Sequence, residues 1–138
     1  MTLSEEARRE VLAVMDRYVQ SYNSRDLSGV TSLFSKDISG FGSGAREVIG
    51  NREEFVNGIR VDFARPEQFR LAVRTLAVGG TMPVAWITAF CDFSCIIDGK
   101  KTRVEGRVTA VLRNTGSRWL FEQVHFSLPF PDELIGRM

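Results

Sequence analysis

Residues 104–128 read VEGRVTAVLRNTGSRWLFEQVHFSL, two long runs either side of an Asn-Thr-Gly-Ser turn. In the first run Val104, Gly106, Val108, Ala110 and Leu112 alternate with Glu105, Arg107, Thr109, Val111 and Arg113. In the second, Leu120, Val124, Phe126 and Leu128 alternate with Trp119, Phe121, Gln123, His125 and Ser127, with Glu122 the exception on the apolar side. Period-two alternation of this length predicts two strands with one face on a core. Gly116 can supply the positive φ that a short hairpin loop needs. The other face is not the Lys/Glu mixture of a solvated sheet, because it carries Trp, Phe, His, Arg, Thr, Ser and Gln. What that face is for is the central functional question.

The same period extends upstream. From Val84 to Ile97, the residues Ala85, Ile87, Ala89, Cys91, Phe93, Cys95 and Ile97 form an apolar face, with Trp86, Thr88, Phe90, Asp92 and Ser94 opposite. Asp98-Gly99 is a hairpin signal. From Gln68 onward Phe69, Leu71, Val73 and Ala77 alternate with Arg70, Ala72 and Arg74, and Gly79-Gly80 reads as a turn. Pro129, Phe130 and Pro131 close the sheet.

The N-terminal part is helical. Thr2 and Glu5 have capping-box spacing, with Ser4 an alternative cap, for a helix to about Asn23. Its stripe is Ala7, Val11, Met15, Tyr18, Val19 and Tyr22. Tyr18 and Tyr22 are ordinarily core aromatics with wet tips, the alternative being hydroxyls aimed into a cavity. Asp26 caps a short second helix with Leu27, Val30, Leu33 and Phe34 on its apolar side. Asp37 to Gly50 is glycine-rich, a loop or a short hairpin returning at Val48-Ile49. Its Gly40-Phe-Gly-Ser-Gly44 run lacks the Gly-Lys-Ser/Thr ending of a phosphate loop. Asn51 and Glu54 cap a third helix carrying Phe55, Ile59 and Phe63, which ends before Pro66.

The chain of 138 residues is long enough for one domain, 1–138, with a proper core. A net charge of +1 gives no electrostatic reason to expect nucleic acid or an anionic membrane as a partner. No run approaches the ~18 apolar residues of a membrane span. The opening MTLSEEARRE has no apolar segment of the signal-peptide kind, and the expected location is the cytoplasm. Cys91 and Cys95, four apart on one strand, would have Cα atoms about 13 Å apart, too far for a disulfide. Buried thiols are expected, and with a single histidine in the chain no zinc or other metal site is.

Arg107-Val-Thr109, the glycine-containing turn, Trp119, five residues, then His125-Phe126-Ser127 and Pro129 together resemble the nuclear transport factor 2-like superfamily. Within it they resemble the SnoaL-like proteins, in the branch related to the association domain of calcium/calmodulin-dependent protein kinase II. The glycine segment before Glu47 and Ile49-Gly50 is similar to that family's early hairpin. The resemblance implies an α+β cone, a curved antiparallel sheet wrapped around the long N-terminal helix with two further helices. It also implies an internal pocket and homodimers built by sheet packing on sheet. Members include isomerases, dehydratases, polyketide cyclases and non-catalytic scaffolds, so the fold leaves the function open. The association domain has pocket arginines on its last two strands. Here those positions hold Phe126 and Thr109 or Ala110, so an anion pocket of that kind does not carry over. Steroid-isomerase members use a carboxylate base and acidic or phenolic donors, and no motif here places such a set.

In the related branch the pocket side has the parity of Phe126, which here groups Leu120, Glu122, Val124, Phe126 and Leu128. The expected ligand-lining set is Tyr18, Tyr22, Phe63, Cys91, Phe93, Glu122 and Phe126, suited to a small apolar organic molecule with no cofactor. Glu122 is either an acid–base carboxylate with a raised pKa or a solvated rim residue. Trp86, Phe90, Arg107, Thr109, Trp119, His125 and Ser127 then share the convex face. Their aromatic and arginine content, without lysine, matches the centre of a homodimer contact. The competing use of that face is a polar active site of Asp92, Arg107 and His125. Two functions follow: a binding or scaffold protein, or a cofactor-independent isomerase, dehydratase or cyclase. The second requires at least two ionisable groups converging in a deep pocket.

Overall fold

A computed structural model describes residues 2–135, the side chain at 135 excepted. Helix α1 spans Glu5–Asn23, with Ser4 as its cap accepting from the Ala7 N–H. Helix α2 (Leu27–Thr31) is capped by Asp26 and is shorter than the apolar spacing suggests, because Phe34 already opens strand β1 (Phe34–Phe41). Strand β2 (Val48–Ile49) returns antiparallel against β1. Helix α3 (Arg52–Phe63) is capped by Asn51, whose side chain accepts from the Glu54 N–H. Strands β3 (Phe69–Thr81), β4 (Val84–Ile97), β5 (Lys100–Asn114) and β6 (Trp119–Ser127) follow, then a turn of helix α4 (Asp132–Ile135).

The strands form one curved sheet in the order β2-β1-β6-β5-β4-β3. The sheet is mixed, not wholly antiparallel as expected: β1 runs parallel to β6, pairing Phe34 with Phe121 and Gly40 with Val124. Strand β2 and helix α3 lie between β1 and β3 and carry the chain to the far edge of the sheet, and β1 meets the last strand in the same direction. Gly40 has φ +152°, and a Cβ there would collide with the Val124 carbonyl oxygen, so only glycine lets β1 approach β6 this closely. Asp98 and Gly99, at φ 51° and 75°, turn the β4–β5 hairpin in the left-handed conformation such a tight loop requires. Gly79 and Gly80 are not the preceding turn. They stay in the ladder opposite Trp86 and Ala85, and the chain reverses at Met82-Pro83, where proline has no N–H to give the ladder.

The concave side of the sheet closes over α1. Val11, Val14, Met15, Tyr18 and Tyr22 pack against Ala85, Ile87, Ala89, Val108, Ala110, Leu112 and Val124. The phase of β6 differs from strict alternation. Val111 pairs with Gln123 but Leu112 pairs with Phe121, leaving Glu122 as an extra residue in a bulge. One added residue reverses every side chain beyond it. Trp119 and Phe121 therefore point into the core, 3% and 1% exposed, while Val124 stays inward. The Trp119 indole N–H donates to Glu10 of α1 at 3.0 Å. Trp119 is thus not part of the convex surface, and Glu122 is not on the concave one.

Candidate functional site

Between α1, α3 and the open part of the sheet lies a cavity of about 590 Å³. Its walls are Tyr18 and Tyr22 of α1, Phe55, Gly58, Ile59 and Asp62 of α3, and Leu71, Cys91, Phe93, Val104, Gly106, Val124 and Phe126 of β3 to β6. The 42–49 segment, with Arg46 and Glu47, also lines it, as do Glu54 and Val61 of α3, Arg65 past α3, and Ser127 and Leu128. Aromatic rings supply much of the apolar wall: Phe34 packs on Phe55 with centroids 4.2 Å apart, and Tyr18 meets the Phe126 ring at 6.4 Å.

Tyr22 donates its hydroxyl proton to Asp62 Oδ2 at 2.9 Å, joining α1 to α3 across the cavity. Burial raises the Asp62 carboxyl above its ordinary value. The bond from Tyr22 opposes that rise, the negative Glu47 adds to it, and the Arg65 guanidinium opposes it. Both phenols are also pushed up, first by burial and then by the negative field of Asp62. Tyr18 is 6% exposed and lines the cavity. Among the described residues no hydrogen bond involves its hydroxyl. Cys91 is half-buried beside them, and burial raises its thiol. A neutral phenol and a carboxylate of raised basicity therefore face one space, walled by aromatic and aliphatic groups and by the charged Arg46, Glu47 and Arg65. Such a pair can hydrogen-bond a ligand oxygen while exchanging a proton with the same molecule.

Of the residues expected to line the cavity, the fold brings Tyr18, Tyr22, Cys91, Phe93 and Phe126 together. Phe63 does not reach the wall; it packs edge-on against Tyr22 at 5.4 Å. Glu122 lies outside, its Oε1 2.9 Å from Arg113 Nε. Asp62 carries no motif, but it sits seven residues from Phe55 and three from Ile59, on the face of α3 that is otherwise apolar. A carboxylate at that spacing was the available signal.

On the convex face, Trp86 is 51% and Phe90 37% exposed. Phe90 pairs across the ladder with Arg107, and Thr109 pairs with Thr88 on one side and His125 on the other. With Leu76 and Ser127 most of these line a shallow groove of about 430 Å³. Arg74 lies over the Phe90 ring at 4.6 Å, and the His125 ring is 5.3 Å from that of Phe41. Asp92 does not join Arg107 and His125 there: it is opposite Glu105 and held by Arg103 at 3.1 Å. Among the described residues no group of three His, Cys, Asp or Glu side chains could hold a metal ion, and no helix is long and apolar enough to cross a membrane.

The fold is shared with solved structures of low sequence identity. A candidate dehydratase of the nuclear transport factor 2-like family from Streptomyces avermitilis is 16% identical, with a TM-score of 0.84 over 93% of this chain and all of that one. A ketosteroid isomerase-like protein from Erwinia carotovora atroseptica is 17% identical, with a TM-score of 0.80 over 93% of this chain and all of that one. A candidate calcium/calmodulin-dependent protein kinase II association domain from Xanthomonas campestris is 23% identical, with a TM-score of 0.70 over 88% of this chain and 86% of that one. No curated protein matches the chain. The model of the SnoaL-like domain matches residues 11–131, which takes in the cavity, both tyrosines and the whole sheet. The chain therefore belongs to the SnoaL-like domain family.

Proposed function

We propose that the chain is a cofactor-independent acid–base enzyme that takes a small, mostly apolar carbonyl compound into the cone. The relatives include a candidate dehydratase and proteins of unknown function, so the fold selects no single reaction and the choice rests on the site. The observation that carries it is the pairing of a buried, unpartnered Tyr18 hydroxyl with the Asp62–Tyr22 couple in one cavity. Convergence of such groups favours an enzyme over a scaffold.

Asp62 as carboxylate removes a proton from the carbon next to the carbonyl. The C–H bond breaks, an O–H bond forms on Asp62, and the charge moves to the carbonyl oxygen, where Tyr18 donates a hydrogen bond. Asp62 then returns the proton to a different carbon of the ligand, as an isomerase would, or to a departing hydroxyl, as a dehydratase would. Tyr22 holds the carboxylate in place. Incubation in deuterium oxide with cyclic and open-chain ketones tests this: wild-type protein should catalyse exchange at the α-carbon. Equal exchange by wild type and Asp62→Asn rejects the proposal.

The convex groove supports a homodimer in the same proposal, its patch now Trp86, Phe90, Arg107, Thr109, His125 and Ser127 without Trp119. Exposed aromatic and arginine side chains on a sheet face are what an interface centre uses. Phe90→Asp with Trp86→Ser should halve the mass found by light scattering while the melting temperature of the fold stays measurable. An unchanged mass, whatever it is, removes this face as the contact. The free thiols of Cys91 and Cys95 fit a reducing compartment, and we place the protein in the cytoplasm.

A further inference from the structure

We propose that Gly58 is a specificity-determining position, its missing side chain reserving the space through which a broad, ring-bearing ligand reaches Asp62. The inference rests on the cavity being the ligand site and adds which residue sets its width. Eleven of the twelve glycines lie in the described residues. Eight of them have a visible structural reason, either a positive φ or a fixed neighbour within 3.0 Å of an added Cβ, and Gly44 and Gly50 face the carboxylate ends of Glu47 and Glu54. Gly58 has neither, since nothing lies within 4 Å of its ideal Cβ and no positive φ is found there.

Gly58 also sits in the interior of α3 (Arg52–Phe63), where glycine is the poorest choice short of proline. Helix formation argues against glycine there, and Gly58 is exposed, so the space beside it is open rather than enclosed. That space lies on the cavity wall, between Phe55 and Asp62. Residues four apart on a helix lie one above the other, so a side chain at 58 would stand one turn from the Asp62 carboxylate. A linear chain could pass such a side chain; a ring that is broad in two dimensions could not. Trading helix stability for room beside a reactive group is a familiar compromise at functional sites.

Gly58→Ala and Gly58→Leu test this with full-length protein. Affinity is read by the fluorescence of the neutral probe N-phenyl-1-naphthylamine and by its displacement with two ten-carbon ketones, bicyclic 2-decalone and open-chain 2-decanone. The alanine variant should melt about 2–5 °C higher than wild type. The leucine variant should lose about tenfold or more in affinity for the probe and for 2-decalone, a change of at least 1.4 kcal/mol, with 2-decanone little affected. A lower melting temperature for alanine would show that the fold requires glycine, and unchanged probe affinity in the leucine variant would show that the space is not used. Either overturns the proposal, as does equal weakening of both ketones. Absence of probe or ketone binding to wild type overturns the cavity as a ligand site and this inference with it, an outcome distinct from binding that ignores residue 58.

Discussion

Asp62→Asn is expected to lower α-carbon exchange by about 10²–10⁴-fold, the usual contribution of a positioned general base. Asparagine keeps the size of the side chain and can still accept from the Tyr22 hydroxyl, so ligand binding should survive while proton transfer does not. The pH profile carries further information. Exchange requires the carboxylate form, so the rate should rise with pH through the raised Asp62 pKa. Tyr22→Phe removes a hydrogen bond that favours the charged form, and the rising limb should move to higher pH. Glu47→Gln removes a nearby negative charge, and the limb should move to lower pH. A limb that ignores both substitutions would show that another group titrates.

The same shift has a consequence for stability. The folded protein holds the Asp62 proton more tightly than the unfolded chain, whose carboxyl titrates near its ordinary 3.8. Stability from this group is therefore highest below that value and falls as pH rises through the folded pKa. Asp62→Asn should melt higher than wild type at neutral pH, and the difference should vanish in acid. A functional carboxylate kept at the expense of the fold would behave in this way.

Trp119→Ala is expected to lower unfolding free energy by about 3–5 kcal/mol, the range for deleting a buried aromatic side chain. Against a total of about 5–15 kcal/mol for an ordinary domain, that is a large fraction. The indole is 3% exposed, and its loss empties a space between β6 and α1. Trp119→Phe retains most of the volume but loses the bond to Glu10, and about 1 kcal/mol is the expected difference for that bond. Urea denaturation measures both. If Trp119→Ala instead left stability intact and changed only the solution mass, the indole would belong on the outer face after all.

Trp119 also shows where the linear pattern stops being sufficient. The residues 119–126, Trp-Leu-Phe-Glu-Gln-Val-His-Phe, hold apolar side chains at 119 and 121 and again at 124 and 126, a change of phase at Glu122-Gln123. Strict alternation leaves a glutamate on the apolar side, and that misfit marks the bulge. Once the extra residue is allowed, Trp119 and Phe121 go inward and Glu122 meets Arg113 outside. His125 remains outward, so the indole and the imidazole, which share a parity in sequence, lie on opposite faces of the sheet.

The amino-acid order by itself determined the helices with their Asp26 and Asn51 caps, the long strands and the Asp98-Gly99 turn, because each is a local matter of periodicity and backbone preference, while the structure chose Ser4 over the Thr2–Glu5 box as the cap of α1. The order also put Tyr18 and Tyr22 on the apolar stripe of α1 and Cys91 and Phe93 on the apolar face of β4, while the family resemblance supplied the expectation that they and Phe126 meet in one pocket. Only the tertiary structure decided that Asp62 faces Tyr22, 40 residues away in sequence, that β1 lies parallel to β6, and that Gly58 opens onto empty space. Hydrogen bonds between distant elements, and room left unfilled between them, arise from how α1 and α3 are held against the sheet. No window of neighbouring residues contains both sides of such a contact.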